Sequence, residues 1–216
     1  MRRFGLVVAC VFAAVAFASA AFGQSSLGPA QASRYHLPEH TPNATVHDKT
    51  LPPIGYVDFC GRAEAECQFR DGKVEALALN GQNWDDIAQV NRYVNTKIIP
   101  KSDMELYGKA DYWTYPVTAG DCEDYALLKK RYLVGLGLSP DILLMTVVLD
   151  EHNEGHAVLT VVTNKGDYIL DNRRTEILRW DDTGYKFLKR QSQATAHEWM
   201  SLQKAAPEVM VSTKAH

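Results

Sequence analysis

The chain has 216 residues, 46% of them apolar and 23% charged, and a formal net charge of −3. That mild acidity, with no Lys/Arg stripe along the chain, excludes nucleic acid as the main partner, because nothing is arranged to neutralise phosphates. Once a leader is removed, the remaining length suits one domain with its own hydrophobic core.

Met1-Arg2-Arg3 is basic, Phe4 to Phe17 is apolar, and Ala18-Ser19-Ala20 and Ala21-Phe22-Gly23 both offer small-x-small cleavage sites. Residues 1–23 read as a secretory signal peptide, too short to span a membrane comfortably, and place the mature protein in the periplasm or outside the cell. Lipidation at Cys10, after Val7-Val8-Ala9, and a retained N-terminal anchor are the alternatives. Cleavage takes the net charge to about −5 and leaves Cys60, Cys67 and Cys122. No second apolar run reaches spanning length, so the mature chain is expected to be soluble.

Residues 24–53 are rich in Ser, Pro, His, Asn and Thr and read as a linker or disordered arm, with His36, His40 and His47 solvated rather than ligating. The folded domain is expected over 54–205, with a tail over 206–216. Gly55 to Phe59 reads as a short strand leading into a loop closed by Cys60 and Cys67. In an oxidising compartment that close pair is the natural disulfide; a metal site would want a second ligand pair nearby, which is lacking. Cys122 is then the odd thiol, and nucleophilic chemistry is one reason for a secreted protein to keep it.

Trp84 to Asn95 carries apolar residues at helical spacing, with Asn83 as a candidate N-cap and Ile98-Ile99-Pro100 as the stop. The aromatic stretch from Tyr107 to Trp113 either walls a cleft or fills the core. Gly120-Asp121-Cys122-Glu123-Asp124-Tyr125 then runs into a helix reaching about Leu136. Asp121 reads as its N-cap, which puts Cys122 in the first turn, where the helix dipole favours a thiolate. Asp121, Glu123 and Asp124 pull the other way, since negative charge beside a thiol raises its pKa. Either they face away from the sulfur or they hold a cation, and three hard oxygen donors within four residues suit Ca²⁺ better than a soft transition metal. A buried, inert cysteine is the plain alternative.

Beyond the Gly135 and Gly137 stop lie β-rich runs at Ile142–Leu149, His156–Thr163 and Asp167–Asp171, and a fourth at Tyr185–Leu188. A helix followed by antiparallel strands is an α+β pattern. Cys122, His156 at one strand start and Asp171 at the next strand end have the composition of a nucleophile, its base and a group that fixes the imidazole tautomer. Singly, His156 could be a turn histidine and Asp171 a strand-end cap. Register constrains the idea. Direct opposition of His156 and Asp171 needs an even connection centred on Thr163-Asn164, whereas Asn164-Lys165-Gly166 reads as a three-residue turn that would put them on opposite faces. The trio therefore requires a bulge or an altered register. A zinc site on His152 and His156 would need a helix, and Gly155 with the β-run after it argues against one.

Gly120-Asp121-Cys122-Glu123-Asp124-Tyr125, His156-Ala157-Val158-Leu159 and Leu170-Asp171-Asn172 resemble the bacterial transglutaminase-like cysteine peptidase family. The likeness extends from about Gly55 through Phe59-Cys60, Asn91, Asn95, Tyr107-Gly108, Asp111-Tyr112-Trp113 and Trp180 to Arg190-Gln191. It implies a papain-like or transglutaminase-like fold, the nucleophile at a helix N-terminus packed on an antiparallel sheet. It also implies Cys122 as nucleophile, His156 as base, Asp171 as its orienter, and Asp121, Glu123 and Asp124 as calcium ligands. Characterised members of the family are periplasmic, calcium-dependent proteases that clip a large surface adhesin in biofilm control, under an inner-membrane receptor for cyclic di-GMP. The expected activity is thus peptide-bond hydrolysis; acyl transfer to an amine and a binding module with a relic triad are the alternatives. The Cys122 N–H would supply one oxyanion donor, with Trp113 or a Gln side chain as candidates for the second.

Overall fold

The computed structural model describes residues 37–67 and 75–204; the expected signal peptide, residues 24–36 of the arm and the 206–216 tail lie outside them. Three apolar runs build the centre of a sheet: β4 (Leu143–Leu149), β5 (Gly155–Thr163) and β6 (Gly166–Leu170). They are apolar almost throughout because both of their faces are covered. The full sheet has seven strands in the order β1-β9-β8-β4-β5-β6-β7, every pair antiparallel, completed by β1 (Lys49–Thr50), β7 (Leu178–Arg179), β8 (Lys186–Gln191) and β9 (Trp199–Ser201). The larger core lies between one face and the helices, and includes Tyr56, Ile87, Val94, Leu127, Leu133, Met145 and Leu159. On the other face Val148, Val158, Ile169 and Phe187 form a smaller core closed by Trp180, Tyr185 and Leu202.

Three of the four helices, the first, second and fourth along the chain, supply the first core. Helix α1 spans Ile54–Arg62, where a strand was expected from Gly55 to Phe59. Tyr56 and Phe59, three residues apart, are buried on one face with Gly55, a helical spacing that outweighs the β-rich composition. Gly55 is required by close approach, since a Cβ there would lie 2.4 Å from Trp113 Cδ1. A 3-10 turn at Glu64–Cys67 follows, and Cys60 and Cys67 are joined in a disulfide, with Cys67 fully buried. Helix α2 (Gly81–Lys97) buries Trp84, Ile87, Val90, Asn91 and Val94. Its N-cap is Asn80 rather than Asn83, which sits at the third helical position and closes a reciprocal capping box with Asn80. Helix α3 is short, Asp103–Tyr107, and α4 runs Cys122–Gly135. A parallel pair, β2 (Ile99–Pro100) and β3 (Ala119–Gly120), ties the end of α2 to the start of α4.

From residue 37 onward the stretch expected as a linker is pinned to the sheet. Asp167 accepts hydrogen bonds from Asn43 Nδ2 (2.6 Å) and Ala44 N (3.0 Å), and pairs with the buried Arg190 at 2.6 Å. Thr41 N donates to the Lys165 carbonyl and β1 pairs with β9.

The β5–β6 register settles the geometry left open above. Thr163 pairs with Gly166 and Leu159 with Leu170, so the connection is the two residues Asn164-Lys165, not the expected three. Continuing that register sets Val158 opposite Asp171, and His156 lies two residues back on the same face as Val158. Asn164 is held from outside: its N–H donates to the Leu77 carbonyl and its Oδ1 accepts from Leu79 N. Gly166 takes φ +120°, and a Cβ on it would fall 2.3 Å from Thr41 Cγ2 and 2.8 Å from the Thr41 carbonyl. Gly166→Ala therefore combines backbone strain with a clash, and should destabilise the fold by about 2–4 kcal/mol in denaturant titration.

Candidate active site

At the head of α4, Asp121 occupies the N-cap in extended geometry, but its side chain caps nothing in α4. Instead Asp121 Oδ2 accepts from Asp103 N at 3.1 Å. Asp124 Oδ1 accepts from Thr114 N at 2.8 Å, and Asp103 Oδ2 accepts from Tyr112 N. Each of these carboxylates keeps a second oxygen that is buried and without a hydrogen-bond partner: Asp103 Oδ1, Asp121 Oδ1 and Asp124 Oδ2. Asp103, Asp121 and Asp124 offer ligand atoms within 4.8 Å of one another, and Asp103, Asp111 and Glu123 do likewise. So Asp121 and Asp124 come together directly, Glu123 joins through a second grouping, and Asp103 belongs to both. The sequence reading passed over Asp103, although the Ser102-x-x-Glu105 capping box around it was a visible signal of an ordered turn. Asp111 is spent on Gly55 N and the Trp113 indole N–H, at 2.9 and 2.7 Å. Gly120 leaves room for Asp124, because a Cβ there would lie 2.6 Å from Asp124 Oδ2.

Crowding carboxylates out of water shifts their titration. Burial, then the charge of Asp121, pushes Glu123 up to about 9. Burial also pushes Asp124 up to about 8, with the Thr114 N–H opposing and Asp121 and Asp103 adding to it. Buried, donor-poor carboxylate oxygens are what a hard divalent cation takes as ligands, so the residues fit one.

Cys122, half-buried, is the free cysteine among the described residues. Its thiol donates to Glu123 Oε2 at 3.2 Å and its sulfur accepts from the Ala157 N–H, next to His156. Burial first, then the Glu123 charge, pushes this thiol up. His156 is buried, its Nε2 2.9 Å from Asp171 Oδ1, while its Nδ1 is buried with no partner. Tyr185, which the sequence reading used only as a strand residue, meets the His156 ring edge-on and donates to Asp171 Oδ2 at 2.7 Å. Burial pushes Asp171 up, but His156, the Arg173 N–H and Tyr185 together hold it down at about 2. Two turns along α4 from Cys122, Lys129 is fully buried, its amine pushed down to about 7 by burial and drawn back up by Asp171. His152 stays exposed in the turn before β5.

A crevice of about 310 Å³ is lined by Cys122 and Asp121 together with Pro100, Lys101, Ser102, Glu105, Asn172 and Arg173. Trp113 is buried and its N–H is committed to Asp111, which removes it as an oxyanion donor. Among the described residues no glutamine lines the crevice, and Gln191 is bonded to Tyr56. A wider cleft between α2 and α4, around Tyr93 and Tyr132, is lined by neither cysteine nor histidine among the described residues.

A thiol at the head of a helix, packed against a strand that presents a histidine bonded to an aspartate, defines a class of cysteine peptidases. The family model described as bacterial transglutaminase-like cysteine proteinase matches residues 46–207, and the chain belongs to that family. Among solved structures it is similar to LapG of Legionella pneumophila, at 28% identity and a TM-score of 0.45, over 50% of this chain and 64% of that one. Against the calcium-bound form of LapG the values are 24% and 0.47, over 60% of this chain and 80% of that one. This chain thus spans less than two thirds of the first of those relatives. No curated protein matches by sequence.

The raised carboxyls set a pH dependence in metal-free buffer. A carboxyl whose pKa is higher in the folded state stabilises the fold when protonated, and loses that contribution as pH rises through the folded value. In chelator, the melting temperature should therefore rise as pH is lowered from about 9 toward the ordinary carboxylate range, the window set by Glu123 and Asp124.

Proposed function

We propose that this protein is an exported cysteine peptidase that hydrolyses peptide bonds through Cys122, His156 and Asp171. One observation carries the reading: a buried imidazole has one nitrogen bound to a carboxylate and the other without a partner, one residue from the N–H that contacts the thiol sulfur. Asp171, itself held by Tyr185, fixes the tautomer in which Nε2 carries the proton and Nδ1 is free to accept one. The Cys122 thiolate attacks the carbonyl carbon, His156 protonates the departing amine, and water, deprotonated by the same imidazole, cleaves the thioester. Asp121, Glu123 and Asp124, with Asp103, would hold calcium. Bound there, a divalent charge neutralises the carboxylates that otherwise oppose a thiolate. The family resemblance extends the reading to a periplasmic location, a surface adhesin as protein substrate and an inner-membrane cyclic di-GMP receptor as partner.

Cys122→Ala should abolish cleavage of candidate surface proteins while leaving the melting temperature within a few degrees of wild type; retained proteolysis would rule the mechanism out. Calcium gives an independent check. Saturating Ca²⁺ at about a hundred times Kd should stabilise the fold by about 2.7 kcal/mol, and EGTA should suppress cleavage. If neither follows, the four carboxylates serve only to organise the head of α4.

A further inference from the structure

The mechanism has one oxyanion donor in place: Cys122 is the first residue of α4, so its N–H has no intrahelical acceptor. Trp113, one side chain expected to supply the second, is committed to Asp111, and among the described residues no glutamine lines the crevice. Asn172 lines the same crevice as Cys122. Its backbone is fixed on both sides, because Asn95 Nδ2 donates to the carbonyls of Asp171 and Arg174 at 2.8 and 2.9 Å, and Arg173 N donates to Asp171 Oδ1 at 3.0 Å. Asn91, one turn earlier on α2, holds the Thr175 carbonyl in the same way. This rigidity is spent on a side chain that makes no hydrogen bond among the described residues: Asn172 Oδ1 is buried without a donor, and the residue lines the crevice together with Cys122.

We propose that the Asn172 side-chain amide is the second oxyanion donor of this peptidase, held in place by the Asn95 clasp on its flanking carbonyls. The inference rests on Cys122 being the nucleophile. As Sγ bonds to the carbonyl carbon, the π pair of the C=O moves onto oxygen, and the new alkoxide accepts from Cys122 N–H and Asn172 Nδ2–H. When the pair returns, the C–N bond breaks and the amine leaves with the proton from His156. Donors pre-set around a developing charge act on kcat rather than on substrate binding. Asn95 is then a positioning residue: it touches backbone carbonyls, not substrate.

Two reagents acting on the same sulfur separate this role from a general effect on the thiol. Acylation of Cys122 by p-nitrophenyl acetate passes through an oxyanion, whereas alkylation by iodoacetamide is a displacement at carbon and does not. In the full mature chain with Ca²⁺, Asn172→Ala should slow acylation by about 10²-fold and leave alkylation within about twofold, with an unchanged melting temperature. Asn172→Asp, which has lost the N–H donors, should be no better. Asn95→Ala should slow acylation less, with alkylation likewise spared. Equal slowing of both reactions, or of neither, in Asn172→Ala overturns the assignment. A wild-type thiol that alkylates but is not acylated at all overturns the peptidase reading itself.

Discussion

The pairing of β5 with β6 is the constraint on which the site depends. Strand register has a period of two, so shifting one strand by a single residue would turn Asp171 away from His156 and toward the opposite face. Two separate segments hold the tip of that hairpin: Leu77 and Leu79 grip Asn164, while Thr41 bonds the Lys165 carbonyl and packs so closely on Gly166 that no side chain fits there. The 2.9 Å contact between His156 and Asp171 is thus maintained by backbone contacts at the far end of the strands.

The second organising problem is charge. Asp103, Glu123 and Asp124 are all buried around one helix end, with Asp121 between them, and mutual repulsion adds to the cost of removing them from water. A fold tolerates this when protons or a cation neutralise the cluster. The thiol feels the same field through Glu123, so the state of the carboxylates and the reactivity of the sulfur are joined by contact. Burial pushes the Asp171 carboxyl up, but His156, the Arg173 N–H and Tyr185 together hold it below its ordinary value.

Much of the architecture was legible because local signals and tertiary packing agree. The α4 start, the apolar strands, the α2 stripe and the Cys60–Cys67 pair all follow from spacing and composition. Where the reading failed, long-range contacts decided. Helix α1 looked like a strand because Tyr, Val and Phe favour sheets, yet its burial is set by Trp113 and Trp199 packing on Tyr56. The hairpin turn was misjudged because Asn164 is held by residues 77–79, which no local rule connects to it. Asp103 was invisible as a member of the acidic cluster until the β2–β3 pairing brought the two segments together. Tyr185 reaches Asp171 across a fourteen-residue separation that carries no periodic signal.

Both margins of the seven-stranded sheet are strands only two residues long, β1 and β7, and a 3-10 turn at Trp180–Asp182 follows the second directly. So short a rim offers almost no free ladder for a stray chain to zip onto. Extended segments, a second copy of this chain included, therefore meet no open seam on which to linger.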